Sequence, residues 1–118
     1  MHSKSNADCQ IAHLAVQDTL YVVNGKWKMV ILSILINDGT KRFGELAREA
    51  GVSPRILSKE LQELEMNELV SRKVCATKPL TVEYSATRYC MTLAEVIDAM
   101  MRWGIKHRER IKRRVKAK

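Results

Sequence analysis

"GVSPRILSKELQELE", residues 51–65, holds two different surfaces within one helical period. Ser53 is a strong N-cap, and Pro54 suits the first helical position, where its missing N–H costs nothing. At 100° per residue, with Ile56 at zero, Leu64, Leu57 and Leu61 fall at about 80°, 100° and 140°. Ser58, Gln62, Arg55 and Lys59 fall at about 200°, 240°, 260° and 300°, opposite the leucines. Glu63 and Glu65 come later, while Glu60, at about 40°, intrudes on the apolar arc with no evident partner. The leucines require a core behind the helix; the cations in its first turns face the other way.

Upstream, "RFGELAREAG", residues 42–51, predicts a short helix showing Phe43, Leu46, Ala47 and Ala50 and closed by Gly51. A helix, a tight glycine-containing turn and a second helix make a helix-turn-helix. Two more helices precede it. "IAHLAVQDTLYVV", 11–23, ends before Asn24-Gly25, and "KWKMVILSILIND", 26–38, is apolar nearly all round and ends at Gly39. A helix of that second kind belongs in the middle of a bundle or at a subunit contact. Downstream, Val70, Arg72 and Val74 alternate with Ser71 and Lys73, and Val82, Tyr84 and Ala86 alternate with Thr81, Glu83 and Ser85. This pattern predicts two β-strands joined through "ATKPL", with Lys78 and Pro79 near the tip. A last helix is expected from about Arg88 to Trp103 or beyond, carrying Leu93, Val96, Ile97, Met100 and Trp103. The fold class is therefore α+β and mostly α: a winged helix-turn-helix with a two-stranded wing and flanking N- and C-terminal helices for dimerisation. Trp27 and Trp103 are expected in core or dimer packing, Tyr84 between wing and core, and Met91, Met100 and Met101 as core or dimer filler.

The chain has 118 residues, 46% of them hydrophobic and 29% charged, which fits one globular domain over 1–118. Its formal charge of +8 is concentrated at one end: "KHRERIKRRVKAK", 106–118, holds eight Lys/Arg and one Glu, leaving +1 for everything before it. A nucleic-acid reading of the body must therefore rest on where charges sit. No apolar run reaches the roughly 18–20 residues of a membrane span, and the N-terminus has no apolar leader segment. Three scattered cysteines (Cys9, Cys75 and Cys90) imply neither a disulfide framework nor a zinc site, so a cytoplasmic protein with free thiols, no metal and no cofactor is expected.

Gly25-Lys26-Trp27, Arg42 to Leu46, Ser53 to Ser58, Leu69 to Arg72 and Val82 to Thr87 together resemble the HxlR family of bacterial winged-helix regulators. The patterns are Gly-Lys-Trp, Arg-Phe-x-Glu-Leu, Ser-Pro-x-x-Leu-Ser, Leu-x-Arg and Val-Glu-Tyr-Ser-x-Thr, in family order and spacing over residues 9–104, with 105–118 as a basic extension. The resemblance implies a homodimeric transcription factor on a palindromic double-stranded operator. Several family members sense oxidants or electrophiles through an N-terminal cysteine, and Cys9 stands in that place. Where the family carries glycine this chain has Glu68 and Cys90; a left-handed backbone at Glu68 would cost about 1 kcal/mol.

In a helix-turn-helix the second helix enters the major groove, and residues near its N-terminus reach base edges. Arg55 and Lys59 can address guanine or phosphate, Gln62 adenine, and Ser58 base or backbone. The N–H groups at Ser53 offer phosphate contacts. Lys78 at the wing tip, Arg72 and Lys73 on its first strand, and Arg42 ahead of the preceding helix are further phosphate candidates. The plain alternative is an ordinary solvated helix face. Cys9 and His13 share a helix face at i and i+4, which suits a thiolate sensor of oxidants or electrophiles; the alternative is a thiol buried at a dimer contact. A winged helix used only for protein–protein contact would call for an acidic or apolar face in place of Arg55, Lys59 and Gln62. Nothing points to an enzyme, since there is no phosphate-binding glycine loop, no HExxH and no Ser/His/Asp constellation.

Overall fold

The computed structural model describes residues 6–117. In chain order these form α1 (Asn6–Val23), α2 (Lys28–Asp38), β1 (Lys41–Arg42), α3 (Phe43–Ala50), α4 (Pro54–Met66), β2 (Val70–Cys75), β3 (Thr81–Ala86), a 3₁₀ turn (Cys90–Leu93) and α5 (Ala94–Ala117). The core gathers where α2, α3, α4 and the sheet meet: Ile31, Leu32, Leu35, Leu46, Leu57, Leu61, Leu64, Leu69 and Cys90 are fully buried. Met29, Ile34 and Ile36 of α2 pack against that core beside its buried Ile31, Leu32 and Leu35, while Val30 stays exposed.

The sheet is antiparallel in the order β1-β3-β2. Its two long strands are those the alternation predicts, and Lys41–Arg42 adds a third that no two-residue pattern could announce. The register pairs Arg72 with Tyr84 and Lys73 with Glu83, while Lys41 and Arg42 lie against Tyr84 and Glu83 from the other side. Arg42, Glu83 and Lys73 consequently form one row across the sheet, and Lys41, Tyr84 and Arg72 the next. Tyr84 is buried and faces Phe43 with ring centroids 6.3 Å apart, so it does join wing to core.

Helices α3 and α4 end in the same way. Gly51 has φ +70°, and beyond it the N–H of Val52 bonds back to Ala47 O at 3.1 Å. Glu68 has φ +63°, and the N–H of Leu69 bonds back to Leu64 O at 3.0 Å. Both are left-handed helix stops of the Schellman kind, which favour glycine because any Cβ crowds the backbone. The strain anticipated for Glu68 is present. Thr87 clamps this stop, its hydroxyl donating to Glu68 O at 2.7 Å and also accepting from Cys90 N at 3.0 Å.

Two expectations change and one narrows. The last helix begins at Ala94 and is preceded by a 3₁₀ turn, and it continues without interruption through the basic segment to Ala117. Trp103 is 67% exposed and stacks on His107 at 4.8 Å, while Met91, Met100 and Met101 are also exposed, so none of them fills the core of its own subunit. Helix α1 is longer than its pattern suggests and buries only Val23. Among the described residues no single helix is long and apolar enough to cross a membrane.

Candidate nucleic-acid interface

Helix α4 is fixed at its start by Ser53, whose Oγ accepts from the N–H of Ile56 at 3.3 Å, and by Pro54 in the first turn. Leu57, Leu61 and Leu64 are sealed into the core, which leaves no freedom in how the helix is rotated about its axis. Arg55, Ser58, Lys59 and Gln62 are all exposed on the opposite side. Ile56, placed on the apolar arc by its spacing, is 39% exposed and lies at that arc's edge. Among the described residues neither Arg55 nor Lys59 makes an ion pair.

The remaining candidates divide. Arg42 is exposed at the junction of β1 and α3, where its backbone N–H donates to Glu45 Oε1 at 3.1 Å. Lys78 lies in the exposed turn between β2 and β3. Arg72 and Lys73, adjacent on β2, are both exposed but point to opposite faces of the sheet. They would approach the duplex from different sides of the strand, and Glu83 stands beside Lys73 and Arg42 in its row.

Two features escape sequence reading. Arg48 of α3 joins Arg42, Phe43, Glu45, Val82 and Tyr84 around an open cleft of about 860 Å³ between α3 and the sheet. Lys28, at the first turn of α2, is only 4% exposed and is bound by two carboxylates of α4. Its Nζ donates to Glu60 Oε2 at 2.7 Å and also to Glu63 Oε2. Burial works against the ammonium charge, but hydrogen bonds from Lys28 to Glu60 and Glu63, with their negative charge, outweigh it and raise its pKa above the ordinary lysine value. The same hydrogen bond from Lys28 holds the Glu63 carboxyl below its usual range, with smaller help from the charge of Lys59. Glu60, the misplaced acid of the apolar arc, thus has its partner on another helix.

Cys9 is exposed on α1, one helical turn before exposed His13. Cys75 is half-buried at the end of β2, and Cys90 is fully buried, where desolvation pushes its thiol pKa up. Ile11, Leu14, Val16, Leu20 and Tyr21 of α1 and Val96, Met100, Trp103, Ile105 and Val115 of α5 are left uncovered by their own subunit. Among the described residues no group of His, Cys, Asp and Glu side chains comes together to hold a metal ion.

Residues 22–112 match the sequence profile of the HxlR-like helix-turn-helix family. An uncharacterized HTH-type transcriptional regulator of Halalkalibacterium halodurans is 42% identical over 90 residues, covering 75% of this chain and 80% of that protein. A second, YdeP of Bacillus subtilis, is 41% identical over 97 residues, covering 81% of this chain and 75% of that protein. Among solved structures, the redox regulator HypR in its reduced form superposes with a TM-score of 0.77 at 37% identity, over 83% of this chain and 97% of that one. The reduced form of the transcriptional regulator YodB from B. subtilis gives 0.66 at 32% identity, over 74% and 85%.

Proposed function

The chain belongs to the HxlR-like helix-turn-helix family of transcriptional regulators, and from that membership we propose that it binds double-stranded DNA sequence-specifically as a homodimer acting in the cytoplasm. The carrying observation is the exposed row of Arg55, Ser58, Lys59 and Gln62 held rigidly outward by buried Leu57, Leu61 and Leu64. The leucines fix the helix, its first turns hold the base-reading side chains, and among the described residues neither cation is spent on an ion pair. Ser53, Arg42, Lys78, Arg72 and Lys73 supply backbone contacts around it, with Arg72 and Lys73 serving different strands or only one of them serving at all.

The uncovered apolar faces of α1 and α5 are the surfaces through which two copies of the single domain 1–118 would meet. Two-fold symmetry would place two α4 helices about 34–36 Å apart and ask for a palindromic operator. The likeness to HypR and YodB, together with the exposure of Cys9, supports a thiol-based response to a small electrophile or oxidant.

Arg55→Ala and Lys59→Ala should each weaken binding to the chain's own operator by about 1–3 kcal/mol, measured by fluorescence anisotropy after footprinting upstream of its gene. Unchanged affinity in both would remove α4 as the reading helix. Cys9→Ser should keep DNA binding but lose release by oxidant; persistent release assigns the sensor elsewhere.

A further inference from the structure

Helix α4 carries three acids, Glu60, Glu63 and Glu65, against two cations, Arg55 and Lys59. For a helix read as meeting phosphates, that balance is unfavourable unless the acids are occupied. Glu63 lies four residues beyond Lys59 and about 40° from it around the axis, the spacing at which a lysine and a glutamate pair on a helix surface. Yet among the described residues Lys59 has no ion pair, and Glu63 bonds to Lys28 of α2. Lys28 is anchored by burial and by its second bond, to Glu60, whose side chain is only 12% exposed. Lys59 would have to reach Glu63 from solvent, at the entropic cost of ordering a long side chain.

We infer that Lys28 is a positioning residue for DNA recognition that acts through Glu63: by holding that carboxylate from α2, it leaves the ammonium of Lys59 free on the reading face. This rests on the DNA reading of α4. Without Lys28, Glu63 becomes the local partner of Lys59 and an uncovered negative charge beside the duplex.

The test measures anisotropy of a labelled mixed-sequence duplex of about three helical turns, with thermal melting run on every variant. K28Q/E60Q replaces the buried ion pair by amides that hydrogen-bond, so no unpaired charge is left inside. It should bind about three- to ten-fold more weakly than the wild type, the scale of one screened charge near several phosphates. K28Q/E60Q/E63Q should return to wild-type affinity or exceed it, and K59A should cost less in K28Q/E60Q than in the wild type. Wild-type affinity in a folded K28Q/E60Q, or an equal K59A cost in both backgrounds, overturns the inference while leaving the DNA reading intact. Absence of any duplex binding by the wild-type chain overturns both. A second arm uses E63Q alone, at a side chain 43% exposed and so tolerant of change. The K59A cost should rise in E63Q by clearly less than it falls in K28Q/E60Q, since in the wild type Glu63 bonds to Lys28 and meets Lys59 only through space; a rise as large shows that Glu63 had been restraining Lys59 and refutes the role given to Lys28.

Discussion

Glu68→Gly should make this protein more stable, which sets it apart from most substitutions. The backbone at Glu68 is left-handed, φ +63°, at a helix stop whose counterpart after α3 is built on Gly51 at φ +70°. Relieving a non-glycine residue of that conformation is worth about 1–2 kcal/mol. Against this, glycine loosens the unfolded chain by about 0.4–1 kcal/mol. The contacts that hold the stop are all main-chain on the Glu68 side: its N–H to Glu65 O at 3.0 Å and its carbonyl to the Thr87 hydroxyl at 2.7 Å. Nothing is lost with the side chain, which is exposed. The net gain is about 0.5–1 kcal/mol, or about 2–5 °C in Tm for a chain of this size. Urea and thermal unfolding of the two proteins at equal concentration would measure it. Glu68→Ala serves as control, because it removes the same charge and keeps the Cβ; it should be no more stable than the wild type. If E68G fails to exceed E68A, the strain assigned to this turn is not there.

Other outcomes follow from the same packing. Ser53→Ala removes the acceptor of the Ile56 N–H and should cost about 1 kcal/mol in urea unfolding, with Ser53→Asp largely sparing it. Leu61→Ala, at a side chain 1% exposed, should cost about 2–5 kcal/mol. In native protein at neutral pH a thiol reagent should modify Cys9 quickly, Cys75 more slowly and Cys90 only on unfolding. Burial raises the Cys90 pKa above its usual 9.0, so its contribution to stability is complete below that value and is lost as pH climbs through the folded one. The Glu63 carboxyl is depressed below 4.5, so its contribution is present above that value and disappears as pH falls through the folded one; E63Q should flatten this acid limb of an unfolding profile.

Helix α4 was legible because Ser53, Pro54 and the leucines state its start, its period and its buried face in consecutive residues. The wing strands were legible for a similar reason, since alternation over six residues is local information. What could not be read is what depends on partners distant in the chain. Lys28 looks like one more cation before an apolar run, and only the crossing of α2 over α4 brings it 2.7 Å from Glu60, 32 residues away. Strand β1 exists because β3 offers it an edge, which two residues cannot advertise. Alternation alone places Arg72 and Lys73 on different faces of β2, and the register agrees. For Trp103 and the exposed methionines, aromatic and apolar residues at helical spacing signal a covered face without saying whose surface covers it, so core and dimer packing stand as alternatives until the fold removes the first. Glu68, by contrast, stood out only through the resemblance, whose members carry glycine at that place.

Helix α1 touches its own subunit so little that only Val23 is buried, while bulky apolar groups stand outward around its whole circumference. Eighteen residues of helix that rest on their own subunit only through Val22 and Val23 are marginally stable in water. Under the proposed pairing of α1 with a second copy, its order should depend on chain concentration: dilution should melt α1 first, and a higher concentration should restore it. Circular dichroism followed across a dilution series would read this as helix content that tracks abundance, a gauge of dosage lodged in the very segment that bears Cys9.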